Sequence, residues 1–313
     1  MTTATDKTYN IDWLTIEVKV THDKEVVNNG VSIRIPKLKN GDGYDFNLNT
    51  KSYIKTRIAN SNHSYSNELD VKSVNDNELK ISGNFYKWLN GENIKGTDNI
   101  TKLVGGVIIR LSELIPAITP TQKELQAIND GEFNIHRIDI NMPILFDTQQ
   151  QAINYLEKLK HHSSYPYLKK DVENNGVYFG KGSKRKTILY YHKGNEIVAN
   201  KKYQHNLDND LIELANRMIR CELKLFWRDL YDNNLLRGHN WTSSTVEQLI
   251  ENTHDRLRLP EVLDIQHLPA KYVRFISCFK AGTLVMGYKS PTIERMKKDL
   301  IRKHGLYLDD IVY

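Results

Sequence analysis

Tyr191 and Lys193, two residues apart in the segment KTILYYHK (186–193), are the residues of this chain whose types and spacing best suit covalent chemistry. Side chains at i and i+2 of a strand point to the same face, so Leu189, Tyr191 and Lys193 are expected to share one face and Ile188, Tyr190 and His192 the other. A tyrosine beside an ammonium suits attack on a phosphodiester. A phenol of pKa about 10 costs roughly 4 kcal/mol to ionise at pH 7, so it needs a cation, a base or a metal to become a good nucleophile. A metal on the scissile phosphate would neutralise charge and stabilise the leaving 3′ oxygen. Two carboxylates are candidates to hold one. In Phe133–Met142 (FNIHRIDINM), Arg137, Asp139 and Asn141 share a face opposite His136, Ile138 and Ile140. In Met218–Phe226 (MIRCELKLF), Arg220, Glu222 and Lys224 face one way and Cys221, Leu223 and Leu225 the other. If these strands are neighbours, Asp139 and Glu222 form a hard oxygen site suited to Mg²⁺ or Mn²⁺. Lys181, Lys184, Arg185 and Lys186, with Arg137 and Arg220, are candidates for DNA phosphate contacts. Tyr178 and Phe179 are candidates to hold unpaired bases.

The same residues also fit a structural role. Tyr191 can pack its ring while Lys193 lies along the surface, Asp139 and Glu222 can pair with Arg137 or Arg220, and 184–186 can be a solvated turn. The chemical reading rests on the coincidence of three strands, each with one polar and one apolar face.

The elements that must position these residues are readable from periodicity. Val177–Gly180 and Thr187–His192 read as a hairpin joined by the basic Gly-Ser turn 181–186. Ile11–Val20, Gly30–Pro36, Tyr53–Ile58 and Leu79–Phe85 read as strands, and 99–115, 121–127, 148–161 and 207–216 as helices, with Thr148 as a cap. No strand pattern persists after about residue 232, and 243–252 and 292–304 read as helices. The expectation is an α+β chain: a central antiparallel sheet with helices on one face over 1–235, and a smaller helical region, 236–313, as a second domain. Its basic helix with Arg295, Lys297, Lys298, Arg302 and Lys303 fits either phosphates or a solvated face.

Composition narrows the class. The chain of 313 residues is 39% hydrophobic and 26% charged, without a run of some eighteen apolar residues or a leader pattern, so a membrane span or secretion is not expected and a soluble intracellular protein is. The spacing of Cys221 and Cys278 suits neither a disulfide framework nor a metal knuckle, and both are expected reduced. A formal charge of +6 favours a polyanionic partner without requiring one.

At these residues the chain resembles the gene II/X replication initiators of filamentous bacteriophages, relatives of rolling-circle plasmid initiators and, more distantly, of HUH endonucleases. The likeness runs through most of the chain: Ile11–Leu14, the Gly-rich 82–100, the Arg-Ile-Asp strand at Arg137, Ile138 and Asp139, the strand 187–193, and the Arg-x-Glu strand at Arg220 and Glu222. Ser290–Leu308 is similar to the family's closing segment. The resemblance implies a Rep-like nicking domain in which Tyr191 is the nicking and joining nucleophile, Lys193 stands beside it, and Asp139 and Glu222 hold the metal. It further implies origin DNA as partner, a host helicase and polymerase, and action in the cytoplasm of a bacterial host cell. HUH enzymes carry two histidines about one apolar residue where this chain has Arg137, Ile138 and Asp139, so the metal site is expected to be richer in carboxylate. Whether Asp12 or Glu196 joins it stays open. Two other classes also remain open: a non-catalytic origin-binding regulator, and a metal-dependent nuclease that uses water.

Overall fold

In the computed structural model of this protein, the two segments bearing the candidate carboxylates are neighbouring strands at the middle of one sheet. The structure describes residues 8–27, 56–57, 68–75, 77–199, 207–259, 268–304 and 308. The strands are β1 (Asn10–Lys19), β2 (Thr56–Arg57), β3 (Glu68–Asn75), β4 (Glu78–Gly83), β5 (Phe133–Leu145), β6 (Lys170–Glu173), β7 (Gly176–Phe179), β8 (Lys186–His192) and β9 (Met218–Phe226). They form one sheet in the order β2-β3-β4-β1-β5-β9-β8-β7-β6, and every pairing is antiparallel.

Alternation decides the two faces. Leu14, Ile16 and Val18 of β1 are buried, as are Ile138 of β5, Leu223 and Leu225 of β9, Ile188 and Tyr190 of β8 and Phe179 of β7, all in one core. Helices cover that face. The single turn α1 (Lys24–Val27) adds Val27. α3 (Ile100–Leu114) contributes Leu103, Val104, Val107, Ile108 and Leu111, a stripe at helical spacing, α5 (Gln149–His162) contributes Leu156 and Leu159, and α9 (Ser243–Asp255) contributes Val246 and Ile250. Each such leucine or isoleucine stabilises the fold by about 1.5–3 kcal/mol relative to its exposed state. Thr148 caps α5 in a capping box with Gln151, and Thr121 does the same with Glu124 for α4 (Gln122–Asn129).

The opposite face carries the polar side chains of these strands, and among the described residues two helices close one end of it. There α6 (Lys193–Ala199) and α7 (Asn209–Asn216) pack Ile197 and Ala215 onto Met218 and Ile94. The register across this polar face sets Asp139 opposite Lys224, Asn141 opposite Glu222, Leu189 opposite Glu222 and Tyr191 opposite Arg220.

Two expectations are corrected. The strand read as Leu79–Phe85 stops at Gly83, whose φ is +156°, and Phe85 begins the short helix α2 (Phe85–Asn90), with the Asn84 side chain accepting from the Lys87 amide at 2.9 Å. Lys193 is not a strand residue. His192 ends β8, and its buried ring accepts the Asn195 amide on Nδ1 and donates from Nε2 to the Asn216 carbonyl, so the chain turns into α6 at Lys193. On either side of the division expected near 235, Leu235, Trp241, Val246 and Ile250 belong to the main core, with α8 (Trp227–Asp232) adding Leu230, and a separate cluster begins at Leu268. The strand read at Gly30–Pro36 lies outside the described residues, as does all of Tyr53–Ile58 except Thr56–Arg57. Among the described residues no helix is long and apolar enough to cross a membrane.

Candidate active site

The polar face of the sheet holds a cleft of about 300 Å³. Its floor includes Trp13 from β1, Tyr191 from β8, and Glu222 and Lys224 from β9, and its walls are Asn84, Lys87 and Asn93 on one side and Glu196 of α6 on another. Tyr191 is 7% exposed. Its cross-strand neighbour is Gly176, where a Cβ would lie 2.3 Å from the Tyr190 carbonyl oxygen and 3.1 Å from the Tyr191 Cβ. Only glycine lets β7 pass that close to the tyrosine. Tyr190 faces the helices instead, wholly buried, sharing a hydrogen bond of 3.0 Å with His254 Nδ1 of α9 and packing its ring edge on Phe179. Adjacent strand residues thus separate a tyrosine in the cleft from one in the core.

Across the strand pair beside Tyr191 lies Arg220, which has no exposed surface. Its Nη2 donates to the carbonyls of Asn93 and Ile94, and Nη1 stands 3.9 Å from Asp12 Oδ1, but Nε and Nη1 make no hydrogen bond. Asp12 sits at a bulge of β1 and is held by the amide groups of Asn84 at 2.9 Å and Asn93 at 3.1 Å. Lys193 also has no exposed surface. Its Nζ donates to Asn93 Oδ1 at 2.9 Å and Glu196 Oε2 at 2.6 Å, so it supports the cleft wall from behind. Burial, with Arg220 adding repulsion, lowers the Lys193 pKa. Burial would raise Glu196, but Lys193 outweighs it and leaves that carboxyl below its ordinary range. Burial pushes the Tyr191 hydroxyl well above the phenol range against the opposing charge of Arg220, so the resting side chain is protonated. Among the described residues no hydrogen bond holds that hydroxyl.

Asp139 and Glu222 are diagonal neighbours on adjacent strands, joined by one cation. Lys224 Nζ is 2.8 Å from Glu222 Oε1 and 3.6 Å from Asp139 Oδ2. Burial raises the pKa of both carboxyls, partly opposed by Arg137 at Asp139 and by Lys224 at Glu222. A buried carboxylate pair already drawn onto one ammonium is a donor set that suits a hard cation, and Lys224 marks where positive charge is favoured. Among the described residues no group of three or more His, Cys, Asp or Glu side chains has metal-ligand spacing. The two carboxylates would thus leave most of the ion's coordination to water and phosphate.

The structure separates the remaining sequence candidates. Arg137 grips Asp139 through two hydrogen bonds of 2.8 and 2.6 Å, and its guanidinium lies 5.1 Å from the Trp13 ring centre and 5.6 Å from that of Phe226. It positions the carboxylate. Arg220, being wholly buried, is no surface contact. The turn 181–186 is not in the cleft: Lys186 is five residues from Tyr191, or roughly 17 Å along the strand. Within that turn Lys181 pairs with Glu173, and Arg185 pairs with Asp229 and Asp232, which leaves Lys184 and Lys186 without a carboxylate partner among the described residues. Of the two aromatic candidates, Tyr178 lines the cleft and Phe179 is in the core.

Lys87 escapes sequence reading because α2 has fewer than two turns and its first residue, Phe85, reads as the end of the strand 79–85. The polar signal is Asn84 and Gly91, a helix cap and a left-handed stop at φ +82°. Lys87 is 2% exposed, and burial with the neighbouring Lys193 lowers its pKa from 10.5 to about 8, against Glu196 and Asp12. The unfolded chain therefore binds this proton more tightly, so the contribution to stability is fullest above pH 10.5 and is lost as pH falls to 8. That loss is on the order of 3 kcal/mol. Urea melts of Lys87→Met are expected to show a flatter rise in stability between pH 8 and 10 than the parent; an identical rise would show that the cleft fully compensates the buried charge.

Comparison with known proteins adds three findings. A family model for the N-terminal part of the phage gene II replication-associated protein matches residues 10–244. The chain is 27% identical over 244 residues to the gene II replication-associated protein of Enterobacteria phage I2-2, covering 73% of this chain and 69% of that protein. A solved structure of a rolling circle replication initiator protein from Geobacillus stearothermophilus aligns with 84% of this chain and 90% of its own, at 13% identity and a TM-score of 0.35.

Proposed function

This chain belongs to the family of phage gene II replication-associated proteins, and on that premise we propose that it initiates rolling-circle replication by cutting one strand of an origin through Tyr191. The observation that supports this most is the placement of Tyr191 in a cleft with Glu222, beside a buried Arg220 that has unspent donors. In the proposed reaction the Tyr191 oxygen attacks phosphorus and the bond to the 3′ oxygen breaks. The phenol gives up one proton and the leaving oxygen gains one. The products are a 5′-phosphotyrosyl link and a free 3′ hydroxyl, and because one phosphate ester replaces another, no nucleotide triphosphate is needed. Rejoining runs the same exchange backwards from a 3′ hydroxyl.

Arg220 would offer Nε and Nη1 to charge building on the phenolic oxygen, which offsets the burial that keeps the resting tyrosine protonated. Lys87, facing the cleft, would offset the negative charge of the phosphate. Lys193 and Asn93 would hold the wall at which these groups meet. Mg²⁺ or Mn²⁺ held by Asp139 and Glu222 would neutralise charge on the phosphate being transferred. The cleft suits a single strand better than a duplex, since its reactive groups lie on a floor beside Trp13 and Tyr178, whose rings can stack on bases.

The proposal is tested by incubating the protein with supercoiled DNA carrying its replicon and Mg²⁺ or Mn²⁺, then denaturing in SDS. The expected product is a nicked circle with protein attached at the 5′ end and a 3′ end that a polymerase extends. A nicked circle free of protein would point to hydrolysis by water, and binding without cutting under either metal would point to an origin-binding regulator.

A further inference from the structure

The chain's net charge is concentrated in its last described helices. Residues 268–304 hold nine Lys and Arg against two Asp and Glu, a balance of +7, where the whole chain has +6. They form three helices, α10 (Ala270–Lys280), α11 (Leu284–Gly287) and α12 (Ser290–His304), around their own core of Tyr272, Phe275, Ile276, Leu284, Met296 and Leu300. Met296 and Leu300 turn α12 inward, which leaves Arg295, Lys298 and Arg302 exposed at i, i+3 and i+7 as one stripe, about 10 Å long. Lys271 and Arg274 are exposed one turn apart on α10.

An ordinary solvated helix face mixes its signs. Here the carboxylate partners among the described residues are Glu294 for Lys297 and Asp299 for Arg302 and Lys303, all exposed pairs within one helix. Lys271, Arg274, Lys280, Lys289, Arg295 and Lys298 have none among the described residues. The catalytic face is different, since Arg137, Lys193 and Lys224 each meet a carboxylate there. Unneutralised cations on a folded surface are the electrostatic footprint of a polyanion. The aromatic residues argue for duplex over single strand. Tyr272 and Phe275 are spent in the core and Tyr288 packs edge-on to Phe275 at 5.2 Å, so the described part of the unit offers no exposed ring for a base to stack on. A helix about 22 Å long with a basic stripe fits the phosphates lining a major groove about 12 Å wide.

We propose that the three-helix unit 268–304 binds duplex DNA through its phosphates, holding the double-stranded origin while the cleft takes the single strand to be cut. The inference rests on the replication reading for the identity of its polyanion, and its test separates the two. In the full chain, Arg295→Gln, Lys298→Gln and Arg302→Gln are combined. Fluorescence anisotropy then follows binding to a linear origin duplex from 50 to 200 mM salt, and a single-stranded oligonucleotide with the same nick sequence reports cutting. Duplex affinity is expected to fall at least about tenfold and the slope of log K against log salt to flatten by roughly 2 to 3, near 0.9 for each phosphate no longer neutralised. Single-strand cutting is expected to stay within about twofold of the parent, and the thermal melt to be unchanged. Unchanged affinity and slope would overturn the proposal, as would an equal loss of single-strand binding. So would a loss confined to vesicles of anionic lipid, which would assign the patch, with its exposed Val285 and Met286, to a membrane surface. If the duplex result holds but neither parent nor variant cuts the oligonucleotide, the cutting reading fails and this one stands.

Discussion

Replacing Tyr191 by phenylalanine is expected to lower covalent DNA–protein product by at least about 10⁴-fold, the scale of removing a nucleophile, while leaving duplex binding intact. The substitution removes one oxygen at the floor of the cleft. That oxygen holds no hydrogen bond among the described residues, so the fold loses little. Tyr190→Phe makes the same chemical change one residue away and should do the reverse. It breaks the bond to His254 in the helix-covered core, costing about 1 kcal/mol, and leaves cutting within a few-fold of the parent. Equal loss of product from both variants would mean that the effect is one of folding and that the two faces have no distinct roles. Cutting that survives in Tyr191→Phe would transfer the chemistry to water.

Glu222→Gln is expected to reduce metal-dependent cutting by roughly 10³-fold, the scale of losing a principal electrostatic interaction in a transition state, and to raise the Mn²⁺ concentration needed for half-maximal rate. Stability serves as its control. Because burial raises the Glu222 pKa in the fold, the ionised carboxyl costs stability once the pH passes above its ordinary value of 4.5, and that cost persists at neutral pH. The amide removes the charge that burial penalises, and Lys224 keeps Asp139 as a partner. The variant should therefore melt no lower than the parent at pH 7.5. Asp139→Asn is a less clean probe, since it also breaks the paired hydrogen bonds from Arg137. Full activity of Glu222→Gln with unchanged metal dependence would remove this carboxylate from the site.

Much of this arrangement is legible in the chain because strand alternation is local. The faces of Arg137, Asp139 and Asn141 and of Arg220, Glu222 and Lys224 follow from period two, and so does the separation of Tyr190 from Tyr191. Register is not local. That Asp139 meets Lys224 while Glu222 meets Asn141 depends on how strands some eighty residues apart align, with bulges in β1 shifting its pairing with β5. Lys193 shows where alternation misleads. Extending the strand pattern through it is natural, yet Gly194 and the ring of His192 turn the chain into a helix, and the ammonium reaches the cleft wall from below. Asn84, Lys87 and Asn93 are hidden for another reason. They come from a cap, a helix of six residues and a loop, none long enough to show a period. The helix α10 does carry a periodic signal, with Tyr272, Phe275, Ile276 and Phe279 at i, i+3, i+4 and i+7. That stripe belongs to the second core.

The central claim is that the oxygen which becomes bonded to DNA belongs to Tyr191, and mass spectrometry can find it directly. The covalent complex formed on a short single-stranded origin oligonucleotide is digested with nuclease and then with trypsin, which cuts after Lys186 and Lys193 and releases Thr187–His192 with Lys193, a peptide containing both tyrosines. Fragmentation of this peptide places the added nucleotide mass on one residue or the other. All of it is expected on Tyr191; mass on Tyr190, or on a different peptide, would take the nucleophile's role from Tyr191.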